Sequence, residues 1–248
     1  LALFYLSVIV HKILKGIHLK RHPYQITGVT QETHDTWTLS FEGNHRDFLP
    51  GQFMILQINN GDRNEAHPFT IASPPTRKDL SISVKAVGDF TSCLSEIKAP
   101  STALIDMPYG TFSFLNHPAE EFVFIAGGIG ITPFINMLRY IRDREENQTI
   151  LLLWSNKHEK DIAFRNELND MEQTMPCVKV VHVLTRQDDW PGEKGRIDAK
   201  KLRRYVKDFS MRRFFICGPV PMMKTMTSTL RDLGVPGKRF HTERFALR

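Results

Sequence analysis

Cysteine is scarce in this chain of 248 residues: Cys93, Cys177 and Cys217 stand far apart, and no Cys-x-x-Cys pair exists. That spacing offers neither a zinc ligand set nor an iron–sulfur cluster, so no metal centre is expected and a reducing compartment is. Arginine-rich blocks are missing too. The net charge of +6 is dispersed, which gives nucleic acid no concentrated footprint. No repeat and no low-complexity tract interrupts the chain. The apolar run from Leu1 to Val10 stops at ten residues, short of the roughly 20 that cross a bilayer. A secretory signal carries its basic residues before such a run; here Lys12, Lys15, Lys20 and Arg21 follow it. That order matches the end of a transmembrane or juxtamembrane segment (1–20) at the cytoplasmic face of a membrane, its beginning outside the sequence. The alternative is a short helix docked on the protein's own surface.

What the chain does have is a core-forming supply of 17 phenylalanines and one conspicuous stretch, FVFIAGGIGITPFINML, from Phe122 to Leu138. Five apolar residues predict a buried strand of a parallel sheet. Gly127, Gly128 and Gly130 follow at once. Thr132 is a suitable helix N-cap, and Pro133 suits the first helical position. Strand, glycine turn and helix N-terminus together aim free backbone N–H groups at whatever lies above the turn, and a phosphate is the natural guest. Two features of related loops are absent. No third glycine completes the dinucleotide fingerprint, and no Lys-Ser/Thr completes a Walker loop.

Before this stretch the signals are short strands, over 36–42, 53–58, 69–72, 80–87 and 103–107. Turn residues separate them, which suggests an antiparallel barrel. In 36–42, Trp37, Leu39 and Phe41 alternate with threonine and serine. After His117-Pro118 strands alternate with helical patterns. Strands are expected over 122–126, 149–155, 178–184, 214–217 and 239–243, and helices over 133–143, 162–171, 199–206 and 221–233. That is a doubly wound parallel sheet, whose ligands lie beyond the carboxyl ends of the strands. The expected domains are therefore a β-barrel over 21–117 and an α/β unit over 118–248.

Taken singly, the polar residues of the barrel half are ordinary. Phe69 reads as core, Lys85 as a solvated strand charge, and Gly88 with Thr91 and Ser92 as a turn and helix cap. In order and spacing they join a larger set: PGQF at Pro50, HPFT at His67, VKAVGDFT at Val84, PYG at Pro108, GGIGITP at Gly127, CGP at Cys217 and ERF at Glu243. This set resembles the ferredoxin–NADP reductase superfamily from about Tyr24 onward. HPFT is most similar to its ferric reductase and NADPH oxidase branch.

The resemblance implies the following roles. Pro68 and Phe69 pack against the isoalloxazine of FAD, and Thr70 hydrogen-bonds near flavin N5. His67, Val84 and Lys85 lie by the FAD pyrophosphate, with backbone N–H groups of Gly88, Thr91 and Ser92 completing that cradle. His67 departs from the family's guanidinium. Gly127, Gly128, Gly130, Thr132 and Pro133 receive the nicotinamide dinucleotide pyrophosphate. Cys217, Gly218 and Pro219 lie beside the nicotinamide, and Phe245 covers the other flavin face. Thr70, Cys217 and Phe245 are thus the catalytic candidates. The second α/β strand ends on Ser155, Asn156 and Lys157 without the carboxylate of NAD-specific sites. The 2′-phosphate of NADPH is therefore expected there with help from Arg186; NADH is the alternative. The implied activity is hydride transfer from NAD(P)H to FAD and one-electron transfer to a heme in membrane helices. The alternatives are a soluble reductase serving a ferredoxin or an oxygenase, and a non-catalytic membrane-surface module.

Overall fold

The computed structural model describes residues 23–44, 47–58, 66–88, 91–92, 97 and 99–243. The expectations for the N-terminal run and for Phe245 fall outside the described residues. Six strands form the first sheet: β1 (Tyr24–Thr33), β2 (Thr36–Glu42), β3 (Phe53–Ile58), β4 (Ala66–Thr70), β5 (Leu80–Lys85) and β6 (Ser101–Tyr109). Their order is β4-β3-β6-β1-β2-β5. Every pairing is antiparallel, and a bridge between Ile71 and Ile82 ties β4's exit to β5. The sheet thus curls into a barrel. Leu39, Phe41, Met54, Leu56, Ile26 and Ile82 fill its interior, as the alternation in β2 and β3 requires.

The second sheet is parallel throughout and runs β10-β9-β8-β7-β11-β12. Its strands are β7 (Glu121–Gly127), β8 (Thr149–Asn156), β9 (Val178–Leu184), β10 (Glu193–Lys194), β11 (Arg213–Cys217) and β12 (Phe240–Glu243). Helices α1 (Thr132–Asp143), α2 (Arg165–Thr174), α3 (Ala199–Tyr205) and α4 (Val220–Asp232) connect them. Successive β7 residues face opposite cores. Phe122, Phe124 and Ala126 pack with α1; Val123 and Ile125 pack with the side carrying Leu202 and Met226. That double burial explains the unbroken apolar run. The order reverses at β7, with β8 on one side and β11 on the other, so the crevice above β7 and β11 is the topological switch point.

The two sheets are sutured by the segment that leaves β4. Asn136 of α1, fully buried, donates through Nδ2 to the carbonyls of Ile71 at 2.8 Å and Ser73 at 2.7 Å. Arg139 donates to the Ala72 carbonyl at 3.0 Å, and Arg77 forms a two-pronged pair with Asp143, both contacts at 2.9 Å. The strand that carries the HPFT motif and the helix that starts at the glycine turn are thereby held as one unit.

Candidate functional site

The turn after β7 is not a plain cap. Gly128–Ile131 forms a turn of 3-10 helix, and Thr132 is already helical. Its hydroxyl donates to the Ile129 carbonyl at 2.6 Å instead of accepting from the helix N-terminus; the expectation of an N-cap is corrected here. Gly128 has φ +52, and a Cβ at this position would meet no atom within 4 Å. Its backbone borders open space, which is the room an approaching phosphate needs. Trp154 of β8 donates from Nε1 to the Gly128 carbonyl at 2.9 Å and fixes the turn. Gly130 serves a different end. A Cβ there would lie 2.4 Å from the Cys217 carbonyl oxygen and 2.8 Å from Gly218 Cα, so only glycine lets the turn lie against the end of β11.

Above this turn lies a cavity of about 770 Å³. Its barrel wall carries Pro68, Phe69, Thr70, Val84, Lys85 and Thr91; its nucleotide-domain wall carries Gly127, Gly128, Gly130, Thr132, Ser155, Asn156, Lys157, Cys217, Gly218 and Pro219. Two motif sets from opposite halves of the sequence thus line one space. Phe69 offers an aromatic surface, Thr70 a hydroxyl, Lys85 and Lys157 cations, and Gly128 an open backbone.

Some expected members are not in the wall. His67 pairs opposite Leu56 inside the β3–β4 ladder, and the next three residues take the cavity face instead. The backbone N–H groups of Val87 and Gly88 bind the Thr91 hydroxyl, each at 3.0 Å. The N–H of Ser92 binds the Gly88 carbonyl at 2.9 Å. Those three donors bond within their own turn, and neither Gly88 nor Ser92 lines the cavity. Pro133 is buried in the first turn of α1 beneath the wall. Arg186 returns its N–H to the Lys157 carbonyl at 2.9 Å, and Arg196, beyond β10, supplies the second cation of that rim. No local signal marks Arg196, because the fold alone brings it back to the tip of β8.

Charge is arranged around the cavity in two ways. Lys85 Nζ lies 2.9 Å from Asp35 Oδ2. Burial alone would raise the Asp35 carboxyl, but hydrogen bonds from Lys85 and Thr33 outweigh it and hold the group below the usual carboxylate range. On the other wall, burial pushes the Cys217 thiol far up, with the nearby Glu243 adding to the effect, so the thiol stays neutral. Glu243 pairs with Cys217 across β11 and β12. Its own carboxyl is raised above the ordinary glutamate value by burial. A carboxyl whose folded pKa is raised binds its proton more tightly in the folded state. Folding is then favoured most below the ordinary value, and stability is lost as pH climbs from there to the raised value. Glu243→Gln is therefore expected to raise Tm relative to the parent at pH 8 and to give no advantage at pH 4. A Gln variant less stable than the parent at pH 8 would show instead that a cation holds the carboxylate.

Comparison with known proteins agrees with this geometry. Residues 29–127 match the family described as FAD-binding domain, and residues 124–228 match the one described as Oxidoreductase NAD-binding domain. The chain is 30% identical over 236 residues to the glycine betaine monooxygenase reductase subunit of Chromohalobacter salexigens, covering 91% of this chain and 64% of that protein. It spans under two thirds of that relative's length. At 22% identity it superposes on a ferredoxin NADP⁺ reductase from Neisseria gonorrhoeae solved with bound FAD and NADP. The TM-score is 0.78, with 89% of this chain and 97% of that one covered. The ferredoxin reductase of carbazole 1,9a-dioxygenase gives a TM-score of 0.79 at 21% identity, covering 91% and 69%. An FAD-binding domain sutured to an oxidoreductase NAD-binding domain, with one cavity shared between them, gives this chain the two-domain fold seen in a ferredoxin NADP⁺ reductase.

Proposed function

We propose that this chain accepts a hydride equivalent from NADPH at FAD and passes electrons singly to the partner of an oxygenase-type system. The observation that carries the reading is the single cavity lined by both motif sets. FAD when bound supplies the exchange between a two-electron donor and a one-electron acceptor. The chain supplies position and electrostatics. Pro68 and Phe69 would pack the ring system, and the Thr70 hydroxyl would donate toward its edge. Lys85 would leave Asp35 to meet phosphate. Gly128 and Thr132 would receive the dinucleotide pyrophosphate, with Cys217 and Gly218 flanking the nicotinamide. The neutral Cys217 thiol puts no negative charge beside the reacting carbon.

Phosphorylated ribose is favoured by Lys157 and Arg196 on one rim, with no acid at the tip of β8. The monooxygenase reductase relative supports an oxygenase partner over the ferric reductase and NADPH oxidase branch. A heme-bearing membrane partner rests on the 1–10 run and the cations after it; among the described residues no helix is long and apolar enough to cross a membrane. The test is flavin choice. Apo-protein titrated with FAD and FMN should bind FAD more tightly, because FMN lacks the adenylate half beyond the phosphate that Lys85 would meet. Tighter binding of FMN would overturn the assignment.

A further inference from the structure

The tip of the β1–β2 hairpin meets the loop after β8 in a cluster that the cofactor reading leaves unused. His34 Nε2 lies 3.5 Å from Asp35 Oδ2 and 3.7 Å from Asp161 Oδ1. The ligating atoms of all three residues lie within 4.8 Å of one another. We propose that His34, Asp35 and Asp161 bind a divalent transition ion of the zinc class, which clasps the barrel to the nucleotide domain at the rim of the cofactor cavity.

Geometry comes first. Nitrogen and oxygen ligands held at 2.0–2.2 Å in a tetrahedron lie about 3.3–3.6 Å apart. The two separations from His34 lie within tenths of an ångström of that range, and the two carboxylates, no more than 4.8 Å apart, need only draw together. Three protein ligands leave a fourth position for water, the pattern of an open site. One imidazole with two carboxylates suits zinc better than calcium or magnesium, which favour all-oxygen shells.

Preparation of the ligands comes second. Asp35 is held by outer partners: Oδ1 accepts from the hydroxyls of Thr33 at 3.0 Å and Thr36 at 3.2 Å, and Oδ2 meets Lys85. Asp161 has a side chain only 7% exposed. Its Oδ2 accepts the backbone N–H of His158 at 3.0 Å, and the His158 ring lies on that same oxygen at 3.5 Å. Oδ1 is left facing His34. Such outer bonds fix ligating carboxylates in orientation before an ion arrives. His34 is the exposed member, its side chain 48% accessible, and gives the ion a path in from solvent.

The position gives the ion a consequence. Lys85 and Asp161 both line the cofactor cavity. An ion on Asp35 competes with Lys85 for the same oxygen and fixes the hairpin against the loop that leads from β8 to α2. That fixed hairpin should slow turnover of the FAD-loaded protein. That last effect rests on the proposed function; binding of the ion does not.

The experiment uses FAD-loaded protein stripped with a chelator and titrated with zinc against a chromophoric competitor. Thermal unfolding is followed in parallel. One ion per chain is expected, with a zinc-dependent rise in Tm. His34→Ala and Asp161→Asn should each weaken binding by about tenfold or more and abolish the Tm response. Magnesium should do neither. Turnover of His34→Ala without zinc should equal that of the parent. Absence of zinc binding in the parent would overturn the site. So would undiminished binding in His34→Ala, which would assign the ion to the cysteines or another surface.

Discussion

Gly130→Val should slow reduction of the bound flavin by NADPH on the order of 10²-fold. The Cβ it introduces falls 2.4 Å from the Cys217 carbonyl oxygen and 2.8 Å from Gly218 Cα. Both obstacles are backbone, so no side-chain rotation relieves the clash. The turn after β7 must part from the end of β11, and overpacking of this kind costs about 1–3 kcal/mol. The larger effect is kinetic. Cys217 and Gly218 are the proposed nicotinamide neighbours, and a displacement near 1 Å between reacting groups costs about 10²-fold in rate. Gly128→Ala separates this effect from simple loss of glycine. Its site has φ +52 and open space above it, so the cost is about 1–2 kcal/mol of backbone strain plus a methyl group in the phosphate's path. KM for the dinucleotide should rise while the flavin stays bound. Anaerobic rapid mixing with absorbance detection reads both variants. A parental reduction rate in Gly130→Val would remove the β7–β11 junction from the site.

Lys157→Glu should raise KM for NADPH on the order of 10- to 150-fold and leave KM for NADH within a few-fold. A hydrogen bond between a charged side chain and a phosphate is worth about 1.5–3 kcal/mol, and every 1.4 kcal/mol is a factor of ten. Lys157 lines the rim that follows β8. Its carbonyl is fixed by the N–H of Arg186 at 2.9 Å, which steadies the loop that presents the ammonium group. Arg196→Ser should act in the same direction, because this arginine shares the rim. Steady-state kinetics with both dinucleotides decide the matter. An equal shift for NADPH and NADH, or a parental preference for NADH, would show that neither cation selects the 2′-phosphate.

Much of the architecture was legible because the relevant signals are local. Strands β2, β3 and β9 fall where their alternating or continuous apolar patterns end in turn residues. Helix α2 shows how a local signal misleads. Ile162, Ala163 and Phe164 continue an apolar period that predicts a helix from 162. The structure buries them in the approach to a helix that starts at Arg165, with Phe164 at φ +54. Strand β4 starts at Ala66 and runs through Pro68, a residue that reads as a strand breaker. Strand β5 stops at Lys85, two residues short of its apolar run, where Ala86 donates its N–H to the Asp35 carbonyl at 2.8 Å.

In the site, the lining from Pro68 to Thr70 and from Gly127 to Thr132 followed from motif order. What could not be read is what the chain brings together across long separations. Asn136 reaches back to Ile71 and Ser73, Asp35 holds Lys85, Glu243 comes to lie beside Cys217, and Arg196 reaches the rim of Lys157. The Asn136 contacts depend on how the two sheets meet and the others on strand order within one sheet, neither of which a local pattern encodes.

The most direct test of the central claim is anaerobic mixing of FAD-loaded protein with one equivalent of NADPH, repeated with deuterium at the transferring position of the nicotinamide. Direct transfer within the shared cavity predicts full loss of the oxidised-flavin absorbance, slower with the deuterated donor. Flavin that remains oxidised, or reduction insensitive to deuterium at either face of the nicotinamide even in Gly130→Val, would contradict it.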